Sequence, residues 1–349
     1  MRGTLARTRS VLRPWAIGVF GGAITWIAVA LVAAALLPLI ARLGQPFLQW
    51  AGLLTLYCVT FVTAVGWARW AGASAMTRDG DVPVDLPLTV FQYGDCPIHY
   101  ALLGPTNRPL VVFTHGAGLD HRTFAPQVAV VAEQYRVLVW DVRGHGRSRP
   151  AAREFSIAVA AQDLAALLDH VGCRQAILVG QSMGSYISQE LAYRYPERAA
   201  AVVAIGATPI TMRYPAWERL ALRWSLPIFR IMPWEALKRM MAYHSAVQDE
   251  VRAYAYEAFR QLSQEEFYHI WVAVSRCLRE NPEYRFAKPL LITHGAHDRV
   301  GTVRKHVPVW AEREPLGRYV VIPDAGHMAN QDNPTFFNTI LMDFLGSVN

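Results

Sequence analysis

VGQSMGS, Val179 to Ser185, sets a serine between two glycines directly behind a short aliphatic run. Ala176 to Val179 reads as a buried strand, and the residues from Gly184 onward read as the start of a helix. Ser182 then falls on a tight strand-to-helix turn. Gly180 and Gly184 remove the side chains that would crowd such a turn. The serine is pushed outward, and the first N–H groups of the helix point at it.

The same alternation extends on both sides. LTVFQY and IHYALL flank the turn GDCP and predict a hairpin. PLVVFTHG, YRVLVWDVRG, QAILVGQS, AAVVAIGA, PLLITHGAHD and GRYVVIPDAGH follow as candidates for buried strands. Between two of them, FSIAVAAQDLAALLDHVG repeats its apolar residues at helical spacing. Strands alternating with helices predict an α/β fold with a mostly parallel central sheet and helices on its faces. In such sheets the chemistry sits at the carboxyl ends of the strands.

A serine hydroxyl is a weak nucleophile and needs a base. G-x-S-x-G on a strand-to-helix turn is the pattern that exposes one, the nucleophile elbow. His327, in PDAGHMAN, follows the last strand candidate and is the expected base. Asp298, in THGAHDRV, ends the preceding strand candidate and is the expected orienting carboxylate. Asp324 is a rival closer in sequence, ranked lower because Ser, Asp and His from three successive strand ends favour Asp298. An oxyanion needs donors in place before it forms. The small residues of THGAG point to the N–H of Ala117, paired with that of Met183, the residue after the serine. His115 reads as a residue that holds its loop, and DVRGHGRS, Asp141 to Ser148, as support for the floor of the site.

HGAG, DVRGHGRS, GQSMG, HGAHDRV and AGH, in this order, resemble the α/β-hydrolase superfamily from about Leu88 to the C-terminus. The resemblance implies the α/β-hydrolase fold, with a Ser182–Asp298–His327 triad and an Ala117/Met183 oxyanion hole. Ser182 in place of an aspartate argues against haloalkane dehalogenases and α/β epoxide hydrolases. Residues 209–287 contain no convincing strand, and in this family such an insert forms a helical lid. It carries Trp217, Trp224, Trp234, Tyr254, Tyr256, Phe259, Phe267, Tyr268 and Trp271, which read individually as the insert's own core and together as favouring an apolar pocket. Six basic residues against two acids between Met212 and Ser245 read either as a face for anionic lipid or as a solvated helix surface.

The chain has 349 residues, 53% hydrophobic and 17% charged, which is apolar for one ordinary domain. Its formal charge of +7 is not a nucleic-acid signal. Arg2, Arg7, Arg9, Arg13, Arg42 and Arg69 fall in the first seventy residues with no acid, leaving 28 basic residues against 27 acidic ones elsewhere. Four scattered cysteines without CxxC spacing give no metal or disulfide framework. The uncharged runs 15–40 and 46–67 are long enough to span a membrane, and they predict a helical hairpin anchor over 1–70. The positive-inside rule then places the N-terminus and, after two crossings, the catalytic part in the cytoplasm. A linker over 71–87 and a core over 88–208 and 288–349 complete the expected organisation.

The expected activity is hydrolysis of a carboxylic ester, lipid-derived or otherwise apolar, at a membrane-anchored serine enzyme. The expected partners are that small apolar ester and membrane lipid, with no nucleic acid. Acyl transfer to water needs no metal or organic cofactor. Alternatives are a carbon–carbon bond hydrolase or an aminopeptidase of the same fold, and a non-catalytic membrane-tethered ligand receptor.

Overall fold

The protein is described here from a computed structural model, over residues 86–150 and 155–348. The chain divides into two compact units, 1–77 and 78–349, and the described residues belong to the second. Its order is β1 (Thr89–Tyr93), β2 (Cys96–Leu103), β3 (Leu110–Thr114), α1 (Ala125–Val131), β4 (Arg136–Trp140), α2 (Ile157–His170), β5 (Ala176–Gln181), α3 (Met183–Arg194) and β6 (Ala199–Ile205). Four helices follow: α4 (Ala216–Ile231), α5 (Trp234–Ser245), α6 (Asp249–Arg260) and α7 (Gln264–Ser275). The chain then returns through β7 (Leu290–Gly295), α8 (Val303–Arg313), β8 (Gly317–Ile322), α9 (Ala329–Asp332) and α10 (Pro334–Ser347).

The eight strands form one sheet in the order β1-β2-β4-β3-β5-β6-β7-β8. β1 and β2 pair antiparallel, as do β2 and β4, and every later pair is parallel. The hairpin turn is tighter than the quoted GDCP, because Cys96 already pairs with Tyr93 and only Gly94, at φ 59°, and Asp95 lie between. From β3 the chain steps to β4 on one side and then to β5 on the other. The order therefore reverses beside β3, and the carboxyl ends of β3 and β5 open a crevice there.

Both faces of the central strands are covered, which is why they read as continuous apolar runs. Val111, Phe113, Val137, Val139, Ile177, Val179 and Val203 pack with Val128 and Val131 of α1 and with Phe337, Leu341 and Leu345 of α10. The alternate residues Val112, Leu138, Leu178 and Val202 are equally buried, toward the side where α2 and α3 pack together. GRYVVI differs from the expectation of a buried strand. It forms β8 at the sheet edge, where Val321 is 39% exposed and only Ile322 is buried.

Two corrections concern the wider organisation. The longest described helices have 16 residues or fewer, about 24 Å at 1.5 Å per residue, short of the roughly 30 Å hydrocarbon core. Among the described residues no helix is long and apolar enough to cross a membrane, and this finding overturns the two-span, membrane-localised reading. The expected spans 15–40 and 46–67 lie outside the described residues, as does most of the expected linker. The aromatic residues of the insert also divide more sharply than expected. Tyr254, Phe259 and Phe267 are buried, while Trp217 and Trp224 on α4 are more than 60% exposed. Most basic residues of the insert are occupied by acids: Arg213 and Arg219 by Glu280, Arg230 by Glu265, and Lys238 and Arg239 by Glu235.

One buried ion pair fixes the loop after β4. Arg143 donates to both carboxylate oxygens of Asp163 on α2, at 2.8 and 2.7 Å, and both residues are buried. Asp163→Ala removes the main partner of a buried guanidinium, and we expect it to cost about 3 kcal/mol, read as a lower urea midpoint with an unchanged denaturant slope.

Candidate active site

The site begins where β5 meets α3. Ser182 has φ 50° and ψ −114°, a conformation that a non-glycine residue adopts only under constraint. Its N–H donates to the carbonyl of Ile205 on β6 at 2.7 Å. A Cβ on Gly184 would overlap the carbonyl oxygen of Thr114, and one on Gly180 would overlap the backbone of Gly184 and Ser185. The elbow and the end of β3 are thus in backbone contact, which only glycine permits. Ser182 is half-buried, and α3 presents its N-terminal end to it.

His327 lies on the loop between β8 and α9. Its Nδ1 is 2.9 Å from Oδ2 of Asp298, and both residues are nearly enclosed. The carboxylate oxygen accepts, so Nδ1 is the donor in this bond. The imidazole also lies against Gly206, which has φ 60° and ends β6 beside the Ser182–Ile205 bond. Asp298 follows β7, and its loop is laced to that of His327. The N–H of Ala296 donates to Ile322 and that of His297 to Ala325, and a Cβ on Gly295 would overlap the carbonyls of Ala325 and Gly326. Asp324, the sequence rival, sits in an exposed turn at φ 54°.

The two expected oxyanion donors come from different loops. Ala117 is half-buried in the loop after β3, and Met183 is the first residue of α3. Neither backbone N–H has a hydrogen-bond acceptor among the described residues. The structure brings Ser182, His327, Asp298, Ala117 and Met183 onto the carboxyl ends of β3, β5, β7 and β8.

Buried polar residues lock these loops. His115 accepts from the N–H of Val142 through Nε2 at 2.9 Å, so its Nδ1 holds the proton and donates to the carbonyl of Gly116 at 2.8 Å. Burial pushes its pKa down, and the neutral ring joins the loops after β3 and β4. Asp141 takes the N–H and Nδ1 of His121 on one oxygen, each at 2.8 Å, and the N–H of Arg147 on the other. Burial works against its ionised form, but the His121 contacts outweigh it and hold the carboxyl below its usual range.

Three residues that organise the site carried no sequence signal of their own. Gln181, fully buried before the serine, donates Nε2 to the carbonyl of His327 at 3.1 Å, while its Oε1 packs over Gly116. It therefore touches the serine loop, the histidine loop and the loop after β3 together. Asp332 holds the loop of His327 from the opposite side. Asp120 binds the insert to the loop after β3, accepting from Arg122, from the hydroxyl of Tyr254 at 3.0 Å and from Nε2 of Gln261 at 2.9 Å. Burial opposes the charge on Asp120, but Arg122 outweighs it and the pKa is lowered to about 2. Beside it, Gly118 at φ 75° lets the rings of Phe259 and Phe267 close onto the same loop.

Residues 109–334 match the model of the alpha/beta hydrolase fold family, and the chain belongs to that family. It is similar to 3-oxoadipate enol-lactonase 2 of Acinetobacter baylyi, 26% identical over 266 residues that cover 70% of this chain and 91% of the relative. It is 31% identical over 270 residues to a Mycobacterium tuberculosis protein named for a non-heme bromoperoxidase activity, with coverage of 68% and 94%. In fold it resembles a thermophilic esterase from Thermogutta terrifontis, with a TM-score of 0.66, 21% identity, and coverage of 75% of this chain and 99% of that one.

Two outcomes test the construction of the site. Gly184→Ala drives a methyl group into the Thr114 carbonyl, and we expect a loss of about 3 kcal/mol or more, seen as a collapsed soluble yield or urea midpoint. The lowered pKa of Asp120 adds stability that is complete above its unfolded value near 4 and lost as the pH falls through about 2. Asp120→Asn should therefore flatten the fall in thermal midpoint between those values, with a loss of about 2 kcal/mol at neutral pH.

Proposed function

We propose that the protein is a serine hydrolase that cleaves a carboxylic ester through an acyl-enzyme. The observation that carries this reading is the Asp298–His327 bond, at 2.9 Å, behind a serine held at φ 50° on the end of β5. In the proposed reaction Nε2 of His327 takes the proton of Ser182 as its Oγ attacks the ester carbonyl. The backbone N–H groups of Ala117 and Met183 hold the tetrahedral oxyanion. His327 then protonates the departing alcohol, and water repeats the sequence on the acyl-enzyme. Asp298 stays ionised and keeps the proton of the neutral imidazole on Nδ1.

The proposed core is 88–208 with 288–349, and the proposed lid is 209–287. Phe259 and Phe267, closed against Gly118 next to Ala117, support an apolar group on the substrate. The relative named as an enol-lactonase supports the ester bond as the point of attack. The free backbone donors on either side of the serine favour a carbonyl that becomes an oxyanion.

The test is labelling with a fluorophosphonate, read by peptide mass, beside turnover of p-nitrophenyl esters of graded chain length. We expect an adduct on Ser182 that is absent from Ser182→Ala and His327→Ala, and turnover that fails with it. Asp298→Asn keeps the shape of the site but loses the tautomer control, and should lower kcat by about 10⁴-fold. Turnover that survives Ser182→Ala would sink the acyl-enzyme.

A further inference from the structure

The loop of His327 is tied to the helical insert on both sides of the histidine, directly through Met328 and by way of Asp332 through Gly326. The N–H of Gly326 donates to Oδ2 of Asp332 at 2.7 Å, and the N–H of Met328 donates to the carbonyl of Ser245 at 2.8 Å. The same Asp332 carboxylate accepts from the N–H of Val247 at 3.1 Å and from that of Gln248 at 3.0 Å. Ser245 to Gln248 is the joint between α5 and α6. Gly326 also lies so close to it that a Cβ would meet the backbone of Ala246 at 3.2 Å.

Asp332 is itself anchored from the core side. Its neighbour Asn330 donates to the carbonyl of Thr123 at 2.9 Å, and Gln331 donates to that of Arg122 at 3.1 Å. Burial pushes the Asp332 carboxyl up, against the pull of three N–H donors and of Arg252. A residue that merely filled space here would be apolar, because burying a carboxylate is costly unless its bonds are used. Both oxygens are used, and they join two segments about 80 residues apart in the chain.

We propose that Asp332 is a positioning residue that makes the placement of His327 depend on the insert. The α5–α6 joint and the His327 loop move as one body, so that displacement of the joint draws the base away from Ser182. This inference rests on the reading of Ser182 and His327 as the hydrolytic pair. Asp332 touches neither the imidazole nor the serine.

The test is a double-mutant cycle in the full chain, with folding checked by circular dichroism. Asp332→Asn keeps one acceptor but turns an amide NH₂ toward one of the N–H donors. Gln248→Pro removes a donor on the insert alone, at a residue whose φ of −81° suits proline. Turnover of p-nitrophenyl butyrate is expressed per Ser182 site titrated with fluorophosphonate. Each variant is expected to lower kcat about 10- to 100-fold. KM should change by less than about twofold, since substrate binding is not what is lost. The double variant should lose no more than the worse single variant, because both cut one link. Losses that multiply, or an unchanged kcat, overturn the proposal.

Hydrogen exchange on the unmodified protein gives a second test, independent of whether either variant folds. The amides of Gly326 and Met328 are expected to open together with those of Val247 and Gln248, and separate opening overturns the coupling. A protein with no Ser182-dependent turnover removes the hydrolase reading, while the exchange result still decides whether the two segments move as one.

Discussion

The carbonyl of Thr114 lies against the α-carbon of Gly184, and this backbone contact is what the rest of the site depends on. It brings the end of β3 onto the first turn of α3. Ser182 is caught between that contact and its own bond to Ile205 on β6, and it has no room to relax from φ 50°. Strain of this kind costs on the order of 1–3 kcal/mol and survives only where the surroundings over-determine it. Here three parallel strands supply the constraint, with β3, β5 and β6 adjacent and their pairing in continuous register from Ile177 up to the elbow.

Around that point the polar groups are divided by charge state. His115 and His145 are buried and driven toward the neutral form, His145 to a pKa of about 3. Asp120 and Asp141 are buried and held ionised by the donors they accept. Neutral rings and satisfied carboxylates let loops from β3 and β4 cross in the interior without an uncompensated charge. The protein thus fixes the backbone of Ala117, whose N–H is left free, by fastening the residues on either side of it.

The insert between β6 and β7 belongs to this arrangement. Tyr254 and Gln261 meet Asp120, Phe259 and Phe267 close on Gly118, and the α5–α6 joint meets the loop of His327. It is therefore fastened to the serine side through the loop after β3 and to the histidine side through Asp332. Helix α4 stands apart: among its residues Glu218 alone is buried, fixed by Lys305 and by Nε2 of His306 on α8. That carboxyl is disfavoured by burial, yet its two partners lower its pKa.

Much of this was readable from residue order. A buried parallel strand must be apolar on both faces, so the five strands β3 to β7 announce themselves as uninterrupted runs. A serine that must occupy a sharp turn needs glycines on both sides. The choice of Asp298 over Asp324 followed from strand order, and the geometry has its reason in Gly295, which lets the end of β7 touch the loop of His327. The edge position of β8 was not readable, since a run such as GRYVVI has the same composition whether its outer side is covered or open. Gln181 and Asp332 were equally hidden. Each bonds backbone groups far away in the chain, the carbonyl of His327 for Gln181 and the N–H of Val247 for Asp332, and no local pattern encodes a partner at that distance. Local periodicity and turn chemistry specify the elements and the ends that carry reactive groups, because those are short-range steric effects. Which loops are fastened to which is decided only when the sheet has assembled, because those hydrogen bonds exist only between segments that packing has brought together.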